Sequence, residues 1–260
     1  MKSKFSLVFW QLFVLFSFLG AWHVGTEIGI LDPFFFSRPW DVLVRTWRDF
    51  VSGTIWRHLW ITLVETVLAF VIGSVAGVMT GFWLARKERL SAVLQPYLKA
   101  INAMPRVVLA PIFALWFGLG IWSKVALGVT LVFFIVFFAV YQGVREVSPV
   151  LVANARILGM NERQMLRHLY LPAALSWMFA SLHTAVGFAL VGAVVGEYLA
   201  SAAGLGYRIQ QAEGSFDVTG VFSGMLILAV FVLLIDGIVS FVERRLLVWR
   251  PQAASTTFQG

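Results

Sequence analysis

Two basic side chains stand inside one of the long apolar runs of this sequence, where charged groups are rare. Lys99 and Arg106 both lie between residues 91 and 117. Insertion of a charged group at the centre of a membrane helix costs on the order of 2.5 to 3.5 kcal/mol of free energy. Such residues are therefore expected to have a functional or structural role. They could offer a positive environment to an anion that crosses the membrane. The alternative is that they pair with Asp236 or Glu65, or that their long chains reach the membrane surface.

Two further ionisable residues belong to a later apolar run. His183 is the one ionisable residue between positions 173 and 196, and Glu197 follows directly. We expect the histidine to be a hydrogen-bonded packing residue rather than a ligand, and Glu197 to cap or brace the turn at residues 204–206. The candidates for a path through the membrane are Lys99, Pro105, Arg106, His183 and Glu197.

Motifs for covalent or nucleotide chemistry are missing from the sequence. It contains no G-x-x-x-x-G-K-[ST] phosphate loop, no G-x-G-x-x-G, no H-E-x-x-H metal motif and no G-x-S-x-G nucleophile elbow. Cysteine is absent, which excludes disulfides and thiol chemistry. We therefore expect no catalytic residue, no metal site and no cofactor bound by this chain.

The elements that must position these residues are membrane helices. Of the 260 residues, 60% are hydrophobic and 13% are charged, and the mean hydropathy is +0.85. A soluble domain carries about 25% charged residues, so the chain is predicted to be an integral membrane protein in contact with lipid. The net charge of +7 does not indicate a nucleic-acid partner, because Lys and Arg collect on the cytoplasmic side of membrane helices.

Six apolar runs are long enough to cross a hydrocarbon core, which needs about 20 residues per helix. They cover residues 5–24, 61–84, 91–117, 125–144, 173–196 and 218–242. The third run contains Pro96, Pro105 and Pro111. Each proline lacks an amide hydrogen and clashes with the preceding turn, so the third span is predicted to be bent or broken. The expected fold is an all-α membrane protein of about six transmembrane helices.

The distribution of basic residues predicts the orientation. With the amino terminus inside, the inner segments carry twelve Lys and Arg and the outer segments carry six, Lys124 among them. Positive charge marks the cytoplasmic side, so both termini are predicted to be cytoplasmic in a multi-pass inner-membrane protein. A cleaved signal peptide is the alternative for the first run. That run exceeds the usual apolar length of roughly 7 to 15 residues, and Trp22 and His23 stand where small residues would be needed.

Small residues at every fourth position mark two helix faces. Gly73, Gly77 and Gly81 lie on the second span, and a similar row at the end of the fifth consists of Gly192, Gly196, Ala200 and Gly204. In lipid such faces let helices approach closely, so packing is the expected role of each glycine. Residues 40–60 could form an interfacial helix, since apolar and charged side chains occupy opposite faces there at helical spacing.

The inner segment between spans four and five, residues 145–172, is far longer than a turn requires. A Ser-Pro pair at 148–149 forms a helix start, and Gly159 can take the left-handed conformation that ends a helix. Asn161 begins a second helix with Gln164 three residues on, which is the pattern of a capping box. The segment is predicted to form two short helices at an angle.

The second of these helices is amphipathic, with an apolar stripe at Met165, Leu166, Leu169 and Tyr170. A rigid amphipathic pair that is attached directly to two spans can pass force from a cytosolic partner into the membrane helices. The pattern agrees equally well with a helix pair that lies on the inner membrane surface.

Three stretches of the sequence resemble a known family. The run 153–159, ANARILG, followed by a Leu-Pro pair at 171–172, is similar to the EAA loop of binding-protein-dependent ABC transporter permeases. The stretches 105–124, PRVVLAPIFALWFGLGIWSK, and 196–207, GEYLASAAGLGY, resemble the permeases of the nitrate, aliphatic sulfonate and taurine group. Together the three stretches are specific, and the resemblance covers roughly residues 61–245.

The resemblance implies the type I ABC importer permease fold, with a first helix and outer segment (1–60), a core of five transmembrane helices (61–247) and a cytoplasmic tail (248–260). It implies that the inner segment is a coupling-helix pair that contacts an ATPase. The coupling residues would be Ala153, Asn154, Ala155, Arg156, Leu158, Gly159, Asn161, Glu162, Met165 and Leu166. The leading Glu-Ala of the EAA pattern is replaced by Ala153 and Asn154, so a charged contact made there in relatives cannot be assumed here.

The resemblance also implies the partners. They are a second copy of the chain, two copies of a separate cytoplasmic ATPase that binds ATP and Mg, and an extracytoplasmic solute-binding protein. Closure of the ATPase dimer would move the coupling helices, and spans three and five would switch the central cavity between inward and outward access.

Two other functional classes are alternatives. A self-sufficient secondary transporter would need no ATPase, although the sequence shows no inverted halves. A membrane enzyme would need a catalytic constellation with credible spacing, which these residues do not form. The solute expected from the resemblance is a small organic or inorganic anion such as a sulfonate, taurine or nitrate. A pyrimidine or an aromatic carboxylate would fit the residues no worse.

Overall fold

Residues 2–246 are the part of the chain that the computed structural model describes, and within them every regular element is helical. The first six α-helices are α1 (Lys2–Glu27), α2 (Pro33–Phe36), α3 (Pro39–Val51), α4 (Thr54–Ala85), α5 (Glu88–Ala103) and α6 (Ala110–Phe117). The others are α7 (Ile121–Arg145), α8 (Pro149–Ile157), α9 (Glu162–Met165), α10 (Leu171–Leu199), α11 (Leu205–Gly214) and α12 (Val218–Leu246). The tail predicted at 248–260 lies outside the described residues.

Five helices in the described part of the chain are long and apolar enough to cross a membrane, and the bent pair α5–α6 is a sixth if its two parts count as one span. The all-helical fold is therefore confirmed, and the predicted number of about six agrees with these five or six candidate spans. Two spans are longer than predicted. The second begins at Thr54 rather than Ile61, and the fifth belongs to one helix that runs from Glu162 to Leu199. In both cases polar residues at the span end continue the helix beyond the apolar run.

The helices run back and forth, which gives the bundle two ends that we call the α8 end and the α11 end. At the α8 end, Nη2 of Arg86 lies 3.1 Å from Oε2 of Glu162, so the last turn of α4 meets α9. At the α11 end, the amide of Gly204 donates to Nδ1 of His58 over 3.0 Å, so the first turns of α4 meet the loop before α11. Charged and polar side chains thus fix the helices at both ends of an apolar bundle.

The third span is broken at Pro105, as the prolines predict. Met104 is extended (ψ 136°), which is the conformation that a following proline favours. A 3₁₀ turn at Arg106–Leu109 follows, and the two parts of the span meet at 84°. Pro111 stands in the first turn of α6, where its missing amide hydrogen leaves no helical hydrogen bond unmade.

The core of the bundle is α7, which packs between α4 and α10. Glycine makes both contacts close. A Cβ added at Gly77 of α4 would lie 2.8 Å from the carbonyl oxygen of Phe133, and one added at Gly192 of α10 would lie 2.5 Å from the Cα of Gly128. The predicted face at Gly73, Gly77 and Gly81 therefore packs against α7, and so does the start of the second row, Gly192 and Gly196. The rest of the second row is not a helix face, because α10 ends at Leu199 and Gly204 lies in the loop before α11 against Glu197.

Helix α3 is amphipathic, but its polar face is turned toward the protein. Asp49 is buried, and its Oδ2 accepts from Nη2 of Arg208 in α11 over 3.0 Å. The tryptophans on the opposite face are exposed. The helix predicted somewhere within residues 40–60 covers Pro39–Val51 only, because Gly53 takes a left-handed conformation (φ +77°) and separates α3 from α4.

The long first helix has little support from the rest of the chain. None of the residues in its apolar window is buried. Near its end the indole of Trp22 donates to the carbonyl of Phe36 over 3.2 Å, and the same ring packs against Phe222 of α12. Helix α1 is therefore tied to the bundle mainly at the α11 end.

Candidate functional site

Helix α8 ends in a Schellman motif. The amide of Gly159 donates to the carbonyl of Arg156, and the amide of Met160 donates to the carbonyl of Ala155, both over 3.0 Å. Gly159 has a φ of +75°, a conformation that glycine adopts without strain. The helix stop predicted at Gly159 is confirmed, and the motif sets the direction in which the chain leaves α8.

Helix α9 begins with the predicted capping box. The amide of Gln164 donates to Oδ1 of Asn161, and the amide of Asn161 donates to Oε1 of Gln164, each over 2.9 Å. Two donors that a helix start leaves unpaired are satisfied in this way. The corner between α8 and α9 is thus fixed from both sides.

The prediction of two short helices is wrong for the second of them. From Glu162 the chain continues through a π turn at Leu166–Tyr170 into α10 without a break. The π turn lies directly before Pro172, which has no amide hydrogen to donate back into the helix. Because the wider turn accommodates the proline, α9 and α10 form one rod of 38 residues.

The predicted coupling residues fall into two sets. Three of them face the bundle, with Leu166 half-buried and the other two buried: Ala155, Met165 and Leu166. The others are exposed: Ala153, Asn154, Arg156, Leu158, Gly159, Asn161 and Glu162. The buried set anchors the segment to the bundle, and the exposed set forms a surface. Ile157 and Leu158 are 82% and 80% exposed, so that surface is partly apolar.

The break in the third span carries a half-buried guanidinium. Nη2 of Arg106 donates to the side-chain oxygen of Asn102 over 2.9 Å and to its carbonyl over 3.1 Å. The guanidinium carbon also lies 4.5 Å from the ring centroid of Phe134 in α7, a cation–π contact. Lys99 and Pro105 are exposed on the same bent segment.

The predicted pairing of Lys99 or Arg106 with Asp236 or Glu65 is wrong. Oδ1 of Asp236 lies 3.2 Å from Nε2 of His183, and Glu65 is buried at the α11 end of the bundle beside other groups. Glu65 belongs to α4 and Asp236 to α12, whereas Lys99 belongs to α5 and Arg106 to the turn after it. Among the side chains that the structure describes, no carboxylate lies within ion-pair distance of either basic side chain.

His183 and Asp236 lie in an open cavity of about 500 Å³ between α10 and α12. Nε2 of His183 lies 3.2 Å from Oδ1 of Asp236, and the rest of the wall is lined mainly by valine, leucine, isoleucine and phenylalanine side chains. The side chains are 39% and 59% exposed, so the pair reaches the surface of the single chain. The role predicted for His183, a hydrogen-bonded packing residue, stays a prediction.

Glu197 braces the turn before α11, as predicted. Its Oε2 accepts from the amide of Gly206 over 2.8 Å, and its Oε1 accepts from the hydroxyl of Thr62 over 2.6 Å. The amide of Leu205 donates to the same hydroxyl over 3.0 Å. Only 1% of Glu197 is exposed, so the chain itself satisfies this carboxylate.

The sequence interpretation missed Lys124, which it counted as an ordinary cation outside the membrane. Lys124 is 1% exposed, and its Nζ donates to the carbonyls of Leu119 (2.5 Å) and Gly120 (3.0 Å). The sequence nevertheless contained a pattern from which the burial of Lys124 could have been predicted. Lys124, Glu65 and Glu197 stand at the outer edges of three predicted spans, and equal depth brings them together once the helices pack.

Comparison with known proteins agrees with this architecture. Residues 51–248 match the family model described as "Binding-protein-dependent transport system inner membrane component". The formylaminopyrimidine transport permease protein ThiX of Halalkalibacterium halodurans is 31% identical over 97% of this chain and 100% of its own length. The taurine transport system permease protein TauC of Escherichia coli is 27% identical over 90% of this chain and 87% of its own.

A solved structure has the same fold. In the inward-facing MetNI methionine ABC transporter, one chain superimposes with a TM-score of 0.62 at 19% identity, covering 73% of this chain and 94% of that one. The fold is thus that of a type I ABC importer permease, a transport component rather than a catalytic enzyme. With 198 residues matched by the family model, the chain belongs to the family of binding-protein-dependent transport system inner membrane components.

Proposed function

We propose that α8 and the first turn of α9 form the surface that a separate ATPase grips. The observation that carries the proposal is an apolar surface held in a fixed position. Val150, Leu151, Ile157 and Leu158 all expose more than half of their area, and exposed apolar patches of this kind mark interaction sites. The Schellman motif at Gly159 and the capping box at Asn161 hold the surface at a set angle.

The connection of this surface to the bundle supports a mechanical role. Helix α8 follows α7 after three residues, and α9 continues into α10 as one rod. Packed glycines join α7 and α10 along their length. A displacement of α8 by ATP-driven closure would therefore tilt α10 against α7, and two packed arrangements of this kind provide inward and outward access.

The working assembly in this proposal has two copies of the chain, two ATPase subunits that bind ATP and Mg, and an extracytoplasmic solute-binding protein. The excess of Lys and Arg in the inner segments supports cytoplasmic termini in the inner membrane. The exposed pair of His183 and Asp236 supports self-association. Ionisable side chains inside a membrane are expected to face protein or a water-filled cavity rather than lipid.

We propose that the solute is a small organic or inorganic anion such as a sulfonate, taurine or nitrate. Lys99 and Arg106 support this class, since they bring positive charge to the break in the third span without a carboxylate partner in the described part of the chain. The taurine permease among the relatives supports it too. The formylaminopyrimidine permease favours a heterocyclic solute instead, so uptake of both classes belongs in the same test.

The experiment compares two glycines that have the same backbone conformation on opposite sides of the membrane. Gly159 has a φ of +75° and Gly29 a φ of +77°, and a Cβ at either would meet open space. Valine at either position carries a similar strain, on the order of 1–3 kcal/mol. We expect Gly159→Val to abolish most solute uptake and most solute-stimulated ATP hydrolysis, with the complex still assembled. The matched Gly29→Val variant should keep both activities.

Full uptake by Gly159→Val would refute the coupling surface. Uptake that needs an ion gradient but no ATPase would instead support the alternative of a self-sufficient secondary transporter. Both measurements use the same proteoliposomes, loaded with ATP in one set and given a proton or sodium gradient in the other.

A further inference from the structure

Three ionisable side chains meet in the interior of the bundle near the α11 end. Glu65 of α4, Lys124 of α7 and Glu197 of α10 are each 1% exposed. Thr62, one turn before Glu65 on α4, donates to Oε1 of Glu197 over 2.6 Å, and a Cβ added at Gly196 of α10 would lie 2.9 Å from Cγ of Lys124. The three side chains therefore share one buried region. None of the three reaches the coupling surface or the break in the third span.

Hydrogen-bond donors are distributed unequally between the two carboxyls. Glu197 accepts from the hydroxyl of Thr62 (2.6 Å) and from the amide of Gly206 (2.8 Å). Oε2 of Glu65 is buried and meets no donor among residues 2–246. A buried carboxylate oxygen without a donor is costly, and a proton on Glu65 removes that cost and gives Glu65 a hydrogen to donate toward Glu197.

The charge balance leads to the same conclusion. With both carboxyls ionised, the enclosed site would hold two negative charges against the single positive charge of Lys124. An uncompensated charge in such surroundings is costly, and a bound proton removes it. Other ionisable groups at this end are engaged elsewhere: Arg208 with Asp49 over 3.0 Å, and His58 with the amide of Gly204 over 3.0 Å.

We propose that Glu65 and Glu197 form a proton-binding site that holds one proton at neutral pH, with Glu65 as the acid and Glu197 as the anion. The protonated Glu65 donates to Glu197, and Lys124 neutralises the remaining charge. The site holds α4, α7, α10 and the turn before α11 together, because each of these elements contributes a group to it. Glu65 is a positioning residue, which acts on that turn through Glu197.

The first test is infrared spectroscopy of the full-length chain in lipid nanodiscs at neutral pH, with its glutamates labelled with ¹³C at the carboxyl. We expect the carbonyl stretch of a protonated acid, shifted by the label and by exchange into D₂O. Glu65→Gln should remove this band. The control Glu146→Gln, at an exposed glutamate after α7, should leave it unchanged. A wild-type spectrum without the band would overturn the proposal.

Thermal unfolding identifies which glutamate carries the proton. In Glu65→Gln the amide hydrogen replaces the acid hydrogen toward Glu197, so we expect a Tm within about 2 °C of the wild type. In Glu197→Gln an NH₂ group replaces one of the two oxygens that accept from Thr62 and Gly206, and the charge opposite Lys124 is lost, so we expect a Tm at least about 5 °C lower. Equal losses in the two variants would contradict the assignment of the proton to Glu65.

For a third variant we expect the infrared band of the protonated acid to grow rather than to disappear. Lys124→Met removes the positive charge, and the remaining carboxylate is then expected to take up a second proton. The acid band should roughly double in intensity. An unchanged band in folded Lys124→Met protein would show that Lys124 does not balance the pair. If this variant does not fold, the wild-type band and the Glu65→Gln spectrum still decide the question.

Discussion

Nη2 of Arg86 lies 3.1 Å from Oε2 of Glu162, and this ion pair joins the α8 end of α4 to the first turn of the long α9–α10 rod. The contact links the helix that packs against one side of α7 with the helix that packs against the other. It also lies within the segment proposed to contact the ATPase. Any rotation of α10 relative to α4 must therefore stretch or break it.

The Arg86–Glu162 pair is expected to contribute little to stability. The side chains are 35% and 68% exposed, and exposed ion pairs contribute about 0.2–1 kcal/mol. A double-mutant cycle with Arg86→Gln and Glu162→Gln should give a coupling energy in that range for the free energy of unfolding. The Arg145–Glu88 pair at the same end, with a longer separation of 3.7 Å, is the matched control and should give less. A coupling energy above about 2 kcal/mol would contradict this prediction.

Close packing of α4 on α7 makes Gly77 intolerant of even one added methyl group. In Gly77→Ala the Cβ would lie 2.8 Å from the carbonyl oxygen of Phe133, which is backbone and cannot turn away. We expect a loss of about 1–3 kcal/mol of unfolding free energy. In the control Gly237→Ala the Cβ meets no atom within 4 Å, so stability should stay equal or rise by up to about 1 kcal/mol. A wild-type unfolding temperature in both Gly77→Ala and Gly237→Ala would contradict this prediction.

Cysteine labelling can establish the orientation with one substitution per variant, because the sequence contains no native cysteine to remove. Ile157→Cys probes the α8 end, where the native side chain is 82% exposed, and Ile30→Cys probes the other side, where it is 76% exposed. With intact cells permeable only at the outer membrane, a membrane-impermeant maleimide should label the Ile30 variant alone. Inverted inner-membrane vesicles should give the opposite pattern. Labelling of both variants from the outside would contradict cytoplasmic termini.

Removing the charge of Arg106 should weaken transport of an anion but not of a neutral solute. Its guanidinium is held at the break by Asn102 and Phe134, so it presents a fixed positive charge. Charge-assisted hydrogen bonds contribute about 1.5–3 kcal/mol, so Arg106→Gln should raise KM for the anion about tenfold or more. The control Arg48→Gln changes an exposed arginine of α3 and should leave KM unchanged. Wild-type KM for the native anion in Arg106→Gln would exclude a lining role.

Local backbone chemistry explains what the sequence could predict. The break at Pro105, the stop at Gly159 and the cap at Asn161 each depend on two or three neighbouring residues, and all three are present. The glycine face around Gly77 follows from helical spacing. These features need no knowledge of which helices are neighbours.

The features that the sequence did not reveal depend on tertiary packing. The burial of Lys124 arises because α7 starts beside α4 and α10, and a positive residue at a span edge otherwise indicates exposure. The partner of His183 on α12 depends on which helix packs next to α10. The continuity of α9 with α10 depends on a π turn that a proline pattern alone does not predict.

The central claim is that this chain transports solute only when an ATPase binds the surface of α8. The direct measurement is solute uptake by proteoliposomes that contain the purified chain alone, the chain with its ATPase, or the chain with its ATPase and solute-binding protein, each with ATP inside or outside. The account predicts uptake only in the complete system with ATP on the ATPase side. Accumulation of solute by the chain alone would contradict it.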